Sequence, residues 1–274
     1  MLTVFLSVLL ASTPLSIMHD GQMVDKLVKE DFELTGVDRL FMDDVKLDFQ
    51  MDVLNKKVYQ APVSAKLDDN GDIISEKPGL ALDKTTFRTM FRDYFYYGEP
   101  AELTLPTRNV YPRVDSELLA DITEQTVGHY RTTFRQTNKK RTRNIELATK
   151  AIDNQVIFPN ESFSFNETVG KRTKEKGYKR APVIVKGELA EDIGGGICQV
   201  SSTLYNAVDI NGISIVERYS HSRSVPYVPP GRDATVSWHG PDFVFKNTTS
   251  RPVLIRASAK NGNMAIEILS SESR

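Results

Sequence analysis

A single cysteine, Cys198, stands in a chain of 274 residues, so an internal disulfide is excluded and the thiol serves reactivity, metal ligation or packing. Three glycines, Gly194, Gly195 and Gly196, lead into it. Beyond them Ile197, Val200, Leu204 and Ala207 share one side of a helix, which places Cys198 in its first turn. Unpaired amides and the positive end of the helix dipole favour an anion there, so the thiolate is populated at a lower pH than in an ordinary cysteine. The amides of Cys198 and Gln199 are placed to hold an oxyanion. Gly194, Gly195, Gly196, Gln199, Ser201, Ser202 and Tyr205 on this segment, with Arg232 further on, are the expected substrate contacts.

A nucleophilic thiolate needs a proton acceptor, and the chain offers His19, His129, His221 and His239. His19 lies beside the amino-terminal leader and His129 inside an expected helix. His221 follows the expected strand Ile213–Tyr219, and Asp233 comes twelve residues later, just before another expected strand. Cysteine at a helix start, then histidine, then an acid is the order found in papain-like and transglutaminase-like thiol enzymes, and the likeness is one of order alone. His239 is the rival base. The blander reading has Cys198 packing in a core and Asp233 capping a turn beside Arg232. A metal site from Cys198, His221, His239 and Asp242 lacks the close ligand spacing of zinc centres, so no metal is expected. The glycines carry neither the Lys-Ser/Thr pair of a phosphate loop nor a G-x-G-x-x-G pattern, so no nucleotide cofactor is expected either.

The elements that must position these groups change character along the chain. Gln22–Lys29 has a helix-like pattern. Val45, Leu47, Phe49, Met51 and Val53 alternate with polar residues, which predicts a half-buried strand. Asp68-Asp69-Asn70-Gly71-Asp72 is a turn signal before Ile73-Ile74. From Leu82 a helix is expected, with Phe87, Met90, Phe91 and Tyr94 on one face, and two more helices over 116–134 and 142–152. After Asp153 short apolar runs broken by Gly, Pro and Asn predict strands at 156–158, 183–185, 213–216, 235–238, 243–245, 253–255 and 265–268, the last two joined at Lys260-Asn261-Gly262-Asn263. The mixture predicts an α+β protein of two domains, with the boundary between Val110 and Gly128.

Composition excludes several classes. At 40% hydrophobic and 26% charged residues the chain is neither disordered nor a polytopic membrane protein. The net charge of -1 gives no global attraction for nucleic acid. Its distribution is uneven, however: residues 20–127 hold 22 acids against 13 bases, and residues 128–188 hold 14 bases against 6 acids. The runs at 139–143 and 171–176 suit a polyanionic partner or form a solvated face. Val4–Ala11 makes an apolar stretch of signal-core length inside an uncharged Met1–Met18 segment. No Lys or Arg precedes it, and no small-x-small cleavage site follows before His19. Export or a single amino-terminal anchor is expected, and a buried first strand or helix is the alternative. The organisation reads as 1–21 leader or anchor, 22–125 first domain and 126–274 second domain.

The blocks Pro159–Asn166, Gly170–Thr173, Gly177-Tyr178, Gly194–Ala207, His221-Ser222 and Tyr227–Val236 together resemble the VanW-like family, over about Gly128 to Ile255. Upstream, Ala61–Ala65, Gly79–Asp83 and Leu103–Pro106 look like the YoaR-type peptidoglycan-binding domain that often precedes it. The resemblance implies location and partner more than a reaction: the bacterial cell envelope, with a link to glycopeptide resistance. Its pattern has positions matching Cys198, His221 and Asp233. The expectation is an extracytoplasmic protein that binds peptidoglycan or another anionic wall polymer and performs cysteine-dependent acyl transfer or hydrolysis on peptide stems. A non-catalytic binding or scaffold protein is the alternative.

Overall fold

The computed structural model describes residues 13–36, 41–185 and 188–271. The chain divides into two compact units, Met1–Ala65 with Ser75–Asp115, and Lys66–Ile74 with Ser116–Arg274. Both combine helices with short, mostly antiparallel strands, the α+β class that the sequence predicts.

The first unit opens on a hairpin of β1 (Leu15–His19) and β2 (Gln22–Leu27), which turns at Asp20 and Gly21. Helix α1 (Asp44–Val58) follows. The small hairpin of β3 (Lys66–Leu67) and β4 (Ile73–Ile74) belongs to the second unit, and its turn is the expected Asp68–Asp72. The first unit then resumes with β5 (Gly79–Leu82), α2 (Lys84–Tyr97), β6 (Glu102–Thr104) and β7 (Thr107–Val110). Strand β6 pairs in parallel with β1, and β7 runs antiparallel to β5. The aromatic face of α2 is buried as predicted, with Phe87, Phe91, Tyr94 and Phe95 packed beside Leu47, Met51 and Leu54.

Two expectations fail here. Val45–Val53 is helix, not strand. The Asp43 side chain accepts from the amides of Val45 and Lys46, and Leu47, Met51, Leu54 and Val58 fill one face at helical spacing. Val45 and Phe49, which alternation had placed inside, are 79% and 70% exposed. Gln22–Lys29 is not a helix; its first six residues form β2, fixed by pairing with β1. The apolar run Val4–Ala11 lies outside the described residues. Leu15–His19, grouped with the leader on sequence, is β1, and its Leu15 and Ile17 are fully buried. Among the described residues no helix is long and apolar enough to cross a membrane.

The second unit contains α3 (Ser116–Ile122), β8 (Gln125–Thr133), α4 (Lys139–Ile152), β9 (Gln155–Ile157), β10 (Ser162–Ser164), α5 (Phe165–Val169), β11 (Arg180–Val185), β12 (Glu188–Ile193), α6 (Ile197–Val208), β13 (Ile213–Glu217), β14 (Val244–Asn247), β15 (Val253–Lys260) and β16 (Asn263–Ser270). A four-stranded sheet of order β8-β16-β15-β9 carries α4 and α6. A second sheet has the order β10-β14-β13, and β11 and β12 form a hairpin. Ile145, Val200, Leu204, Phe243, Phe245 and Ile266 are among the fully buried side chains of the core between these layers.

The helix expected over 116–134 ends at Ile122, and Gln125–Thr133 is strand β8. The run Thr126-Val127 and Thr132-Thr133 is rich in β-branched residues, and β8 pairs with β16 along its length. Gly128 is required there: a Cβ would lie 2.2 Å from the Ala207 carbonyl oxygen, where α6 crosses the strand. The expected strand at 235–238 makes no ladder among the described residues. Its amides bond singly instead, Thr235 to the Tyr219 carbonyl at 2.7 Å and Ser237 to the Pro241 carbonyl at 2.8 Å.

Candidate active site at the start of helix α6

The three glycines are explained by what they touch. Gly194 and Gly196 have φ of 95° and 107°, open to glycine and strained for other residues. A Cβ on Gly196 would lie 2.8 Å from Cγ of Arg141, and one on Gly194 would lie 3.4 Å from Cγ of Arg172. A Cβ on Gly195 would collide with the Ala181 backbone. The turn therefore lies directly against two arginine stems and the β11 backbone. Close packing thus accounts for all three glycines.

Helix α6 starts at Ile197, so Cys198 occupies its first turn as predicted, and it is partly buried. Its Sγ lies 3.8 Å from Thr235 Oγ1 and 3.6 Å from the Val236 carbonyl oxygen. The Gln199 amide is committed to the Gly196 carbonyl at 3.1 Å, which removes it from the expected oxyanion pair. The Cys198 amide has no acceptor among the described residues.

His221 is the histidine that acts on this thiol: it helps to lower the Cys198 pKa, and its Nδ1 lies 2.6 Å from Asp233 Oδ2. The same Oδ2 accepts from the His221 backbone amide, also at 2.6 Å. One carboxylate oxygen thus fixes both ring and backbone, leaving Nε2 for the sulfur. The His221 and Asp233 side chains are only 5% and 10% exposed.

The charges are mutually supporting. Burial works to raise the Cys198 pKa, but the hydrogen bond and positive charge of His221, with the Val236 backbone and the Thr235 hydroxyl, bring it below the ordinary thiol value. Burial likewise works to lower the His221 pKa, and Cys198 and Asp233 together lift it above the ordinary imidazole value. Asp233 is held below the usual carboxylate range by His221 against the opposing effect of burial. Both shifts run in the direction that favours a thiolate beside an imidazolium.

The hydroxyls after Cys198 hold the scaffold. Ser201 donates to the Ala234 carbonyl at 2.6 Å. Ser202 donates to the Cys198 carbonyl at 2.7 Å and accepts from the Ala234 amide at 2.9 Å. Both serines are fully buried, so they tether the residue after Asp233 to the helix that carries Cys198. Gln199 is 1% exposed, accepts from Arg141 Nη2 at 2.7 Å and donates to Thr132 Oγ1 and the Thr133 carbonyl. Tyr205 is sandwiched between the guanidinium groups of Arg218 and Arg232. Arg232 is further tied to Asp209 at 2.5 Å and Asn206 at 2.7 Å. Gln199, Ser201, Ser202, Tyr205 and Arg232, expected as substrate contacts, are thus engaged within the protein.

The remaining candidates lie elsewhere. His239 is exposed in the turn after Trp238, whose ring it touches, and His129 is on β8 opposite Glu267. Asp242 caps α5, accepting from Ser164 Oγ and the Asn166 amide. No cluster of metal-ligating side chains occurs among the described residues.

Three side chains outside the expected catalytic and substrate-contact set lie near the same centre. Arg141 and Arg172 are within electrostatic reach of Cys198, although their neighbours in the two basic runs, Lys139, Lys140, Lys171 and Lys174, point to solvent. Tyr227 lies among Cys198, Ser202, Arg141 and Asp233, and burial raises its phenol pKa so far that it stays protonated. Only an apolar-side placement of one arginine per run could have signalled this, and α4 offers it: Arg141 stands four residues before the buried Ile145.

The protein is α+β, and Cys198, His221 and Asp233 come together at the start of a helix. Comparison with known proteins places it further. The family model described as VanW like protein matches residues 140–269. The chain is 52% identical over 258 residues to Uncharacterized protein YoaR of Bacillus subtilis (strain 168), covering 94% of this chain and 85% of that one. It is 32% identical over 111 residues to the Vancomycin B-type resistance protein VanW of Enterococcus faecalis (strain ATCC 700802 / V583), covering 39% and 40%. This chain belongs to the VanW-like family. No solved structure matches it.

Proposed function

We propose that this protein is an extracytoplasmic cell-envelope enzyme that uses Cys198 for acyl transfer or hydrolysis on the peptide stems of peptidoglycan. The observation that carries the reading is the relay from Asp233 through His221 to Cys198. The Cys198 thiolate attacks a stem carbonyl, forming a carbon–sulfur bond and a tetrahedral oxyanion. The amide of Cys198, unsatisfied within the described fold, is a donor for that oxygen. As the intermediate collapses, Nε2 of His221 gives its proton to the leaving amine, and the acyl group remains on sulfur as a thioester. Neutral His221 then takes a proton from the second nucleophile, water or an amine, which attacks the thioester and frees the thiolate. Asp233 holds the imidazole in the required orientation through both steps.

A wall substrate is supported by the likeness to a vancomycin resistance protein and by the family's envelope setting. In this reading the first domain, 22–125, holds wall material and the second, 126–274, does the chemistry. The first unit has an open cleft of about 530 Å³ lined by Asp25, Phe32, Val45, Lys46, Phe49 and Gln50, which offers apolar faces and polar groups together. The test is intact-mass measurement during incubation with muropeptides. A covalent adduct on Cys198 that turns over in the wild type and is absent from Cys198→Ala supports the reading. Identical products from wild type and Cys198→Ala, with no adduct, leave a binding protein.

A further inference from the structure

Two half-buried arginines beside Cys198 make no ion pair with a carboxylate among the described residues, although Asp242 is within electrostatic reach of Arg172. Arg172 lies against the turn at Gly194, and both its Nη1 and Nη2 are shielded from solvent without a hydrogen-bond partner among the described residues. Its guanidinium carbon lies 5.7 Å from the centre of the Phe165 ring, and Tyr178, Cys198 and Asp242 are within electrostatic reach. Arg141 lies against Gly196 and donates to a neutral acceptor, Gln199 Oε1. Helices α4 and α6 both begin near this point, and neither has an acid in its first turn. Such ends usually attract Asp or Glu. Guanidinium donors shut away from water without acceptors are costly, and an anionic ligand would supply the acceptors.

We infer that Arg141 and Arg172 form an anion subsite next to Cys198 that receives a substrate carboxylate. Resting on the thiol-enzyme reading, this narrows the substrate class to acyl compounds with a free carboxylate close to the bond attacked, as at the carboxyl terminus of a peptide. The fork of Arg172, with both terminal nitrogens uncommitted, suits a bidentate carboxylate better than a single oxygen. The tether of Arg141 through Gln199 to β8 fixes the second cation, so the subsite is set before ligand arrives.

Iodoacetate and iodoacetamide differ by one carboxylate and alkylate the same sulfur, so their rate ratio on the full chain isolates the subsite from the reactivity of the thiol. Measured against glutathione at the same pH and salt, the iodoacetate-to-iodoacetamide ratio for Cys198 is expected to be roughly tenfold higher or more. Arg172→Gln is expected to bring that ratio down toward the glutathione value. A drop in both rates together reports only a change in thiolate population. Should Arg172→Gln fail to fold, Arg172→Lys, which keeps the charge and loses the fork, is expected to lower the ratio part of the way. A wild-type ratio equal to that of glutathione, or an elevated ratio that Arg172→Gln and Arg172→Lys leave unchanged, overturns the carboxylate subsite. An iodoacetamide rate no faster than that of glutathione instead overturns the thiolate reading, and the ratio still judges the subsite.

Discussion

Asp233 Oδ2 stands 2.6 Å from two nitrogens of the same residue, the backbone amide and Nδ1 of His221. This double contact separates a positioned base from a histidine that merely lies near an acid, because it fixes the chain entering the ring as well as the ring itself. Asp233→Asn keeps one acceptor oxygen but removes the negative charge that helps to lift the His221 pKa. The expected outcome is a loss of about two to four orders of magnitude in kcat on a wall-peptide substrate. The iodoacetamide rate near neutral pH falls as well, since the imidazolium loses its support. Stopped assays on the purified variant, with far-UV circular dichroism to confirm the fold, check both.

The depressed Cys198 and elevated His221 pKa values fix the sign of the pH response. Alkylation needs thiolate, so its rate rises as pH climbs through the depressed Cys198 value and persists at acidities where a thiol of pKa about 8.5 is already silent. Turnover also needs protonated His221 for the leaving amine, so it falls as pH rises through the elevated His221 value. His221→Ala removes the positive partner, leaving burial to dominate, and the alkylation midpoint moves to higher pH. An unchanged midpoint in His221→Ala contradicts the pairing.

The same shifts bear on stability. His221, raised in the fold, contributes stability that is fully present below its unfolded value of about 6.5 and is lost as pH rises through the folded value. Asp233, depressed in the fold, contributes stability present above about 3.9 and lost as pH falls through its lower folded value. Replacing Asp233 with Asn removes the acid-side term directly. Denaturant midpoints of wild type and Asp233→Asn are therefore expected to converge below pH 4 and to separate toward neutrality.

The reactive helix was legible because its signals are local: three glycines followed by apolar residues at helical spacing. The relay was legible only as an order of residue types, since the chain between His221 and Asp233 forms no ladder that periodicity could reveal. The tether made by Ser201 and Ser202 was not legible, because polar residues one turn beyond a nucleophile look like ligand contacts in sequence, and their bonds to the Ala234 backbone join segments more than thirty residues apart. Alternation misled at Val45–Val53, because Leu47 and Met51 satisfy both a two-residue and a four-residue period, and only the Asp43 cap distinguished them. The inward arginines were hidden among outward lysines of identical charge.

Ser202→Ala tests whether the tether matters. The substitution leaves the Ala234 amide buried without its acceptor and removes the shorter of the two hydroxyl bonds to the Cys198 carbonyl. Loss of a buried partner costs about 1–3 kcal/mol, read as a lower urea midpoint at unchanged slope. The functional cost is separate: Asp233 is the preceding residue, so activity is expected to fall more than the folded fraction does. Activity that tracks the folded fraction alone would reduce Ser202 to a core residue.

Gly196→Ala probes how the turn serves the site. An alanine at φ 107° costs about 1–3 kcal/mol in backbone strain, and its Cβ would come within 2.8 Å of Arg141 Cγ. Arg141 must then move, and with it the bond to Gln199 that joins α4, α6 and β8. If the turn were only a tight connection, the variant would lose stability and keep its thiol chemistry wherever it remained folded. Because the same glycine seats a cation beside Cys198, folded Gly196→Ala is expected to react with iodoacetamide more slowly than wild type near neutral pH. It is also expected to need a higher pH to reach half its limiting rate, which a pH series on thermally matched samples measures directly.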